Sequence, residues 1–231
     1  MINMTKRNVL LFFRDKTSVF FSLLAVFIII GLYALFLGDT FASAFKGMEN
    51  VDFLINSWIM AGILAVTSIT TTMGAFGIMV TDQSKNIIKD IYSSPVPRWK
   101  IAGGYLLSSF IIGLIMTYIA LIIAEIYIVV SGGEFLPLTG LIKIIGVIFL
   151  SVLASCSIIF FIVTFFKSQN AFATASTIIG TLIGFLTGVY IPVGNLPDSV
   201  QFVIKLFPIS HAGALLRQIR SEERRVGKEC R

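Results

Sequence analysis

Apolar residues fall in five long runs, residues 18–37, 53–80, 101–130, 141–166 and 171–191, and most of the charge lies in the short stretches between them. Residues 18–37 carry no charge over twenty positions, and at ~1.5 Å per residue a helix of that length reaches ~30 Å, the thickness of a bilayer's hydrocarbon core. The other four runs pass the same test. In lipid only a helix satisfies every backbone polar group within one such segment, and the runs lack the alternating pattern of membrane barrel strands. The pattern therefore predicts an all-α membrane protein with five transmembrane helices.

Three shorter segments are amphipathic. Residues 4–16, MTKRNVLLFFRDK, put bases on both sides of residues 9–13, with Arg7 and Arg14 seven apart on one helical face. This reads either as an interfacial helix, its phenylalanines in lipid and its bases toward anionic lipid or a partner, or as a basic flank that sets topology. Residues 81–100, TDQSKNIIKDIYSSPVPRWK, repeat Ser84, Ile87, Ile88, Ile91 and Tyr92 at helical spacing, with Lys85 and Lys89 on another face. Thr81 or Asp82 can cap this helix, and Pro95, by disfavouring helical dihedrals at Ser94, stops it before SSPVP. In residues 192–208, Val200, Val203, Ile204 and Phe207 form a stripe, Asp198 and Gln201 have the spacing of a capping box, and Pro208 closes the helix. It is too short to span and suits an interfacial or partly re-entrant helix.

Composition agrees with the pattern. Of 231 residues 56% are hydrophobic and 13% charged, whereas soluble domains carry about 25% charged residues. The net charge of +6 comes from bases scattered between apolar runs, which fits bilayer orientation and argues against a nucleic-acid partner. Counted by loop, the bases number four (Lys6, Arg7, Arg14, Lys16), one (Lys46), four (Lys85, Lys89, Arg98, Lys100), one (Lys143) and one (Lys167). That alternation predicts a cytoplasmic N-terminus, a cytoplasmic connector at 81–100 with Trp99 as an interfacial anchor, and an outer element at 192–208. The alternative of a signal peptide cleaved near ASA, residues 42–44, fits less well, because the apolar run exceeds the usual ~7–15 residues. Cys156 and Cys230 have no metal-ligand spacing.

Thr67, Thr70, Thr71 and Gly74 share one side of the second span, a pattern for helix packing or for lining a polar route. Gly180, Gly184 and Gly188, four apart on the fifth span, form overlapping GxxxG patterns for close helix approach within the chain or across a dimer. Glu125 is the one acid well inside an apolar run, which is by default functional, although ~7 Å from the outer end it could reach the interface. His211 has no triad or second ligand near it in sequence. The only Gly-Lys pair, Gly227–Lys228, is followed by Glu229 instead of Ser or Thr, so no phosphate loop is present. Any energy from ATP must come from another subunit.

The order of RNVLLFFRDK before the first span, SPVPRWKIAGGYLL entering the third, and GVYIPVGNLPDSVQFVIKLFPIS after the fifth resembles the membrane permease subunit of type-2 ABC exporters. The resemblance covers most of residues 4–219. It implies a non-catalytic subunit of the cytoplasmic membrane without cofactors, paired with a second permease and with a separate cytoplasmic ABC-type ATPase. It also implies that Arg14, Asp15, Asp82, Lys85, Lys89, Asp90, Pro95 and Arg98 are candidates for coupling to that ATPase, with the threonine and glycine faces near the pathway and dimer seam. The chain departs from the family in reading Phe207-Pro208 and His211 where Asn-Pro and an aromatic are usual. A sixth span is expected in the family, whereas this chain ends in RSEERRVGKECR; residues 220–231 therefore read as a non-native tail beside a single permease domain at 1–219. Competing readings are a membrane anchoring or assembly protein recruiting a partner without ATPase activity, and an ion-coupled transporter using Glu125, for which Glu125→Gln would abolish transport regardless of any ATPase.

Overall fold

The computed structural model describes residues 1–32, 51–131, 136–190 and 193–229. The end of the first expected span, the loop with Lys46, the ASA stretch and Cys230 lie outside the described residues. Among the described residues, all regular structure is helical: α1 (Ile2–Arg14), α2 (Lys16–Leu32), α3 (Val51–Ser84), α4 (Ile87–Tyr92), α5 (Arg98–Val130), α6 (Leu138–Val163), α7 (Gln169–Leu186), α8 (Asp198–Leu206) and α9 (Pro208–Glu229), with a 3₁₀ turn at Val193–Asn195.

Helices α3, α5 and α6 are each long and apolar enough to cross a membrane. The first and fifth expected spans correspond to α2, 17 residues, and α7, 18 residues. The pairs α1–α2 and α8–α9 are bent by 73° and 90°, so the second pair forms a re-entrant hairpin or a broken span. Four helix starts fall at prolines: Pro97, Pro137 and Pro197 precede α5, α6 and α8, and Pro208 opens α9. The first turn of a helix needs no N–H from that residue, and the fixed φ suits it.

Helix α3 is the axis of the bundle, packing against α2, α5, α6, α7 and α9. Ile63, Leu64, Ile69 and Phe76 are fully buried along it. The threonine run costs this helix little, because each hydroxyl finds an acceptor within it: Thr67 donates to the Ile63 carbonyl at 2.7 Å, Thr70 to Val66 at 3.1 Å and Thr71 to Thr67 at 2.6 Å. Ser68, besides its bond to the Ala65 carbonyl at 2.8 Å, meets the hydroxyls of Ser151 and Ser155 on α6, at 2.9 and 3.2 Å. Where α3, α5 and α6 converge, a Cβ on Gly113 would lie 2.7 Å from Thr72 Cγ2 and 2.9 Å from Val152 Cγ1. Gly113→Ala should therefore destabilise the bundle by about 1–3 kcal/mol through overpacking, seen as a lower melting temperature of the purified protein. Gly146→Ala, on α6 with nothing within 4 Å, should not.

Several local expectations are corrected. Helix α3 continues through Thr81 and Asp82 to Ser84, so neither residue caps the next helix; the Thr81 hydroxyl bonds back to the Gly77 carbonyl at 2.8 Å. Asn86, with φ 60°, makes the break, a conformation its short polar side chain tolerates. The helix after it is six residues and ends before Ser93. The capping box at α8 does not form: the N-cap is Pro197, which has no N–H to satisfy, and Gln201 Nε2 donates to the Leu196 carbonyl at 2.8 Å. Helix α7 ends at Leu186, and Gly188, with φ 68°, belongs to the turn that terminates it. A Cβ on Gly184 would collide with the Tyr190 ring at 2.1 Å. Of the three glycines only Gly180 leaves its helix surface open, because the chain folds back over the other two.

Candidate functional site

Helix α1 lies on the bundle at the end that carries α4, packed on α5 and touching α2 and α3. Its inward face is Thr5, Asn8 and Phe12. Phe12 sits in a pocket with Ala75, Ile112 and Met116, while Ile2, Leu10 and Leu11 point outward. The expected placement of its phenylalanines in lipid is thus reversed for Phe12. Polar groups fix the register: the Thr5 hydroxyl donates to the Gly104 carbonyl at 3.4 Å, and Asn8 Nδ2 donates to Ser108 Oγ at 3.2 Å.

The strongest tie is a three-residue cluster. Arg7 donates from both terminal nitrogens to the two oxygens of Asp82, at 2.8 and 3.0 Å, and the Tyr105 hydroxyl donates to Asp82 Oδ2 at 2.6 Å. The Asp82 side chain is 4% exposed and that of Arg7 36%. A fork-to-fork pair of this kind holds direction as well as distance, so α1, α3 and α5 are joined at one point. Asp82, a coupling candidate from the sequence, is buried in this internal ion pair. The sequence pattern does not single out Tyr105, and it presents Arg7 only as one of the bases facing lipid or a partner. The signal that could have found the inward face is the Thr5, Asn8, Phe12 spacing, which puts two polar residues beside a phenylalanine on one face of the helix.

Asp15 stands at the bend between α1 and α2. Its carboxylate accepts from the Ser18 hydroxyl at 2.7 Å and from the N–H groups of Thr17 and Ser18 at 3.1 and 3.3 Å. The Ser18 hydroxyl above all, followed by the Ser18 N–H, holds this carboxyl below its ordinary range. A groove of about 810 Å³ opens beside it between α1, α3 and α7. Half-buried Thr70 and exposed Gly74 line the groove, whereas Thr67 and Thr71 are buried in the bundle.

The chain matches the family model described as ABC-2 type transporter over residues 1–220. It belongs to the ABC-2 type transporter family. No match was found among curated proteins or solved structures. Members of this family are membrane permease domains, transport subunits and not enzymes, so the chain is a multi-pass membrane permease.

On this ABC-2 permease the remaining coupling candidates are not members of the anchor. Arg14, Lys85, Lys89, Asp90, Pro95 and Arg98 are all exposed. The Arg98 guanidinium lies 5.4 Å from the Tyr92 ring centre, tying the far side of the SSPVP turn to α4. Ile87, Ile88 and Ile91 are half-buried while Lys85 and Lys89 face out, so the connector is amphipathic as expected.

The opposite end of the permease has its own charge pair. Glu125 is buried in the bundle, 4% exposed, and accepts a hydrogen bond from Arg220 Nη1, itself 3.3 Å from Met60 Sδ. Helix α9 runs unbroken through residues 219 and 220. One turn before, Arg217 donates to the Thr187 carbonyl at 2.6 Å and stacks 4.0 Å from the Trp58 ring, whose Nε1 donates to the Gly188 carbonyl at 3.0 Å. The α8–α9 hairpin is thereby tied to the end of α7 and to α3. His211 Nε2 lies 2.8 Å from the Lys205 carbonyl, within that hairpin.

Proposed function

We propose that this permease works in an exporter of the cytoplasmic membrane, with its N-terminus and the 81–100 connector in the cytosol, and that a separate ABC-type ATPase docks on α1 and α4. Two permeases pair, and ATP hydrolysed by the partner drives the transport. The observation that supports this most is the Arg7–Asp82–Tyr105 anchor. A subunit pressing on α1 cannot displace it alone; the load passes through Asp82 into α3, the axis of the bundle, and through Tyr105 into α5. Coupling requires such an element, one that the ATPase can bias and that differs in position between two states. The exposed Lys85, Lys89 and Asp90 beside it offer the contact surface.

The test is affinity purification from the native membrane. An ABC ATPase should copurify, and crosslinkers placed at Lys89 should capture it. Charge reversal at both Lys85 and Lys89 should weaken that association by about tenfold while leaving the melting temperature of the permease unchanged. Capture of a protein without ATPase activity from Lys89, together with the absence of ATP-dependent flux, would favour an anchoring role.

A further inference from the structure

We propose that the groove between α1, α3 and α7 binds a single-chain amphiphile with an anionic headgroup. This deepens the transport reading and rests on it only for what happens to the ligand afterwards. The floor of the groove is apolar, made by Leu11, Phe12, Met73 and Phe172, and its rim at the α4 end carries Lys85. Its volume of about 810 Å³ falls in the range of sites that hold one small molecule, ~300–1,000 Å³.

The charges around the groove are not equivalent. Arg7 and Asp82 neutralise each other, and Asp15 is committed to the first turn of α2. Lys85, on the rim of the groove, is exposed and has no ion pair among the described residues. An acidic headgroup is therefore favoured at this mouth, and a cationic one is not. The groove also holds an unmet polar group: Ser176 Oγ is buried without a hydrogen-bond partner among the described residues. A buried hydroxyl left in that state is costly unless something fills the role, and an ester or hydroxyl oxygen just below the headgroup would do so. Gly74 lines the groove, and a Cβ there would meet only Ser22 Oγ at 3.8 Å and Phe12 Cε2 at 3.9 Å, ordinary contact distances, so a side chain can be introduced at this wall.

The experiment is equilibrium binding of radiolabelled lysophosphatidylglycerol and lysophosphatidylcholine to the purified full chain in a neutral detergent, with no ATPase and no nucleotide present. Failure here would leave the ATPase copurification result standing, and the reverse also holds. Lysophosphatidylglycerol should bind the more tightly; Lys85→Glu should weaken it by about tenfold and leave lysophosphatidylcholine unaffected. Gly74→Leu should weaken both lipids by about tenfold, while Gly146→Leu, outside the groove, should weaken neither. Should Gly74→Leu misfold, Ser176→Ala supplies the second variant, with binding reduced by about threefold at an unchanged melting temperature. Equal affinity for the two lipids, or full binding by a well-folded Gly74→Leu or Ser176→Ala, would overturn the proposal.

Discussion

Arg7→Ala should destabilise the protein more than Asp82→Asn does, although the two changes break the same ion pair. Removing Arg7 strands a carboxylate whose side chain is 4% exposed, with only the Tyr105 hydroxyl left to it. Leaving a buried charge uncompensated costs about 3–5 kcal/mol. Asp82→Asn instead strands a guanidinium that is already 36% exposed and can complete its solvation in water. The asparagine oxygen still accepts from Tyr105, so the loss should be nearer ~1–2 kcal/mol. Thermal unfolding of the purified permease reads the difference, and protease cleavage within α1 tells whether the helix has come away from the bundle. Equal melting temperatures would mean that water already reaches Asp82 and that the anchor is weaker than its geometry implies. In the coupling reading, Arg7→Ala should also abolish ATP-driven flux while the ATPase still binds, because the surface at Lys85 and Lys89 remains.

The second large effect lies at the other end. Glu125 and Arg220 are both buried, with side chains 6% and 3% exposed. Glu125→Leu or Arg220→Leu alone should each cost about 3–5 kcal/mol, whereas the double replacement should restore most of the loss or exceed the parent, since two desolvated charges are exchanged for packed hydrocarbon. Additive single and double losses would show that the pair does not act as a unit. A chain ending at Ile219 removes Arg220 as well. It should unfold at about the temperature of Arg220→Leu, because both leave Glu125 without its partner; an unchanged temperature would show that the pair contributes nothing to the fold.

The membrane character, the helices of α3, α5 and α6, and the amphipathic nature of α4 and α8 were all legible in the spacing of apolar residues. Lipid leaves a long apolar segment one way to satisfy its backbone, so composition and period suffice. Helix limits were legible where proline stood at the boundary, as at Pro95 and Pro208, and misplaced where a single residue in a left-handed conformation set it, as at Asn86 and Gly188. The GxxxG reading failed at Gly184 for a related reason: Tyr190, six residues on, turns back over it, and no helical repeat encodes that reversal.

By itself, then, the sequence determined that the chain is helical, where most of its apolar helices run, and which short segments are amphipathic, because each of these depends on neighbours within one or two turns. Only the tertiary structure decided that Asp82 is buried and Lys85 exposed, though they sit three residues apart; that Arg7 meets Asp82 across 75 positions; and that Glu125 is paired with Arg220. Those outcomes turn on which face of each helix meets another, and burial raises the cost of an unpaired charge enough to make such pairings decide what each residue can do.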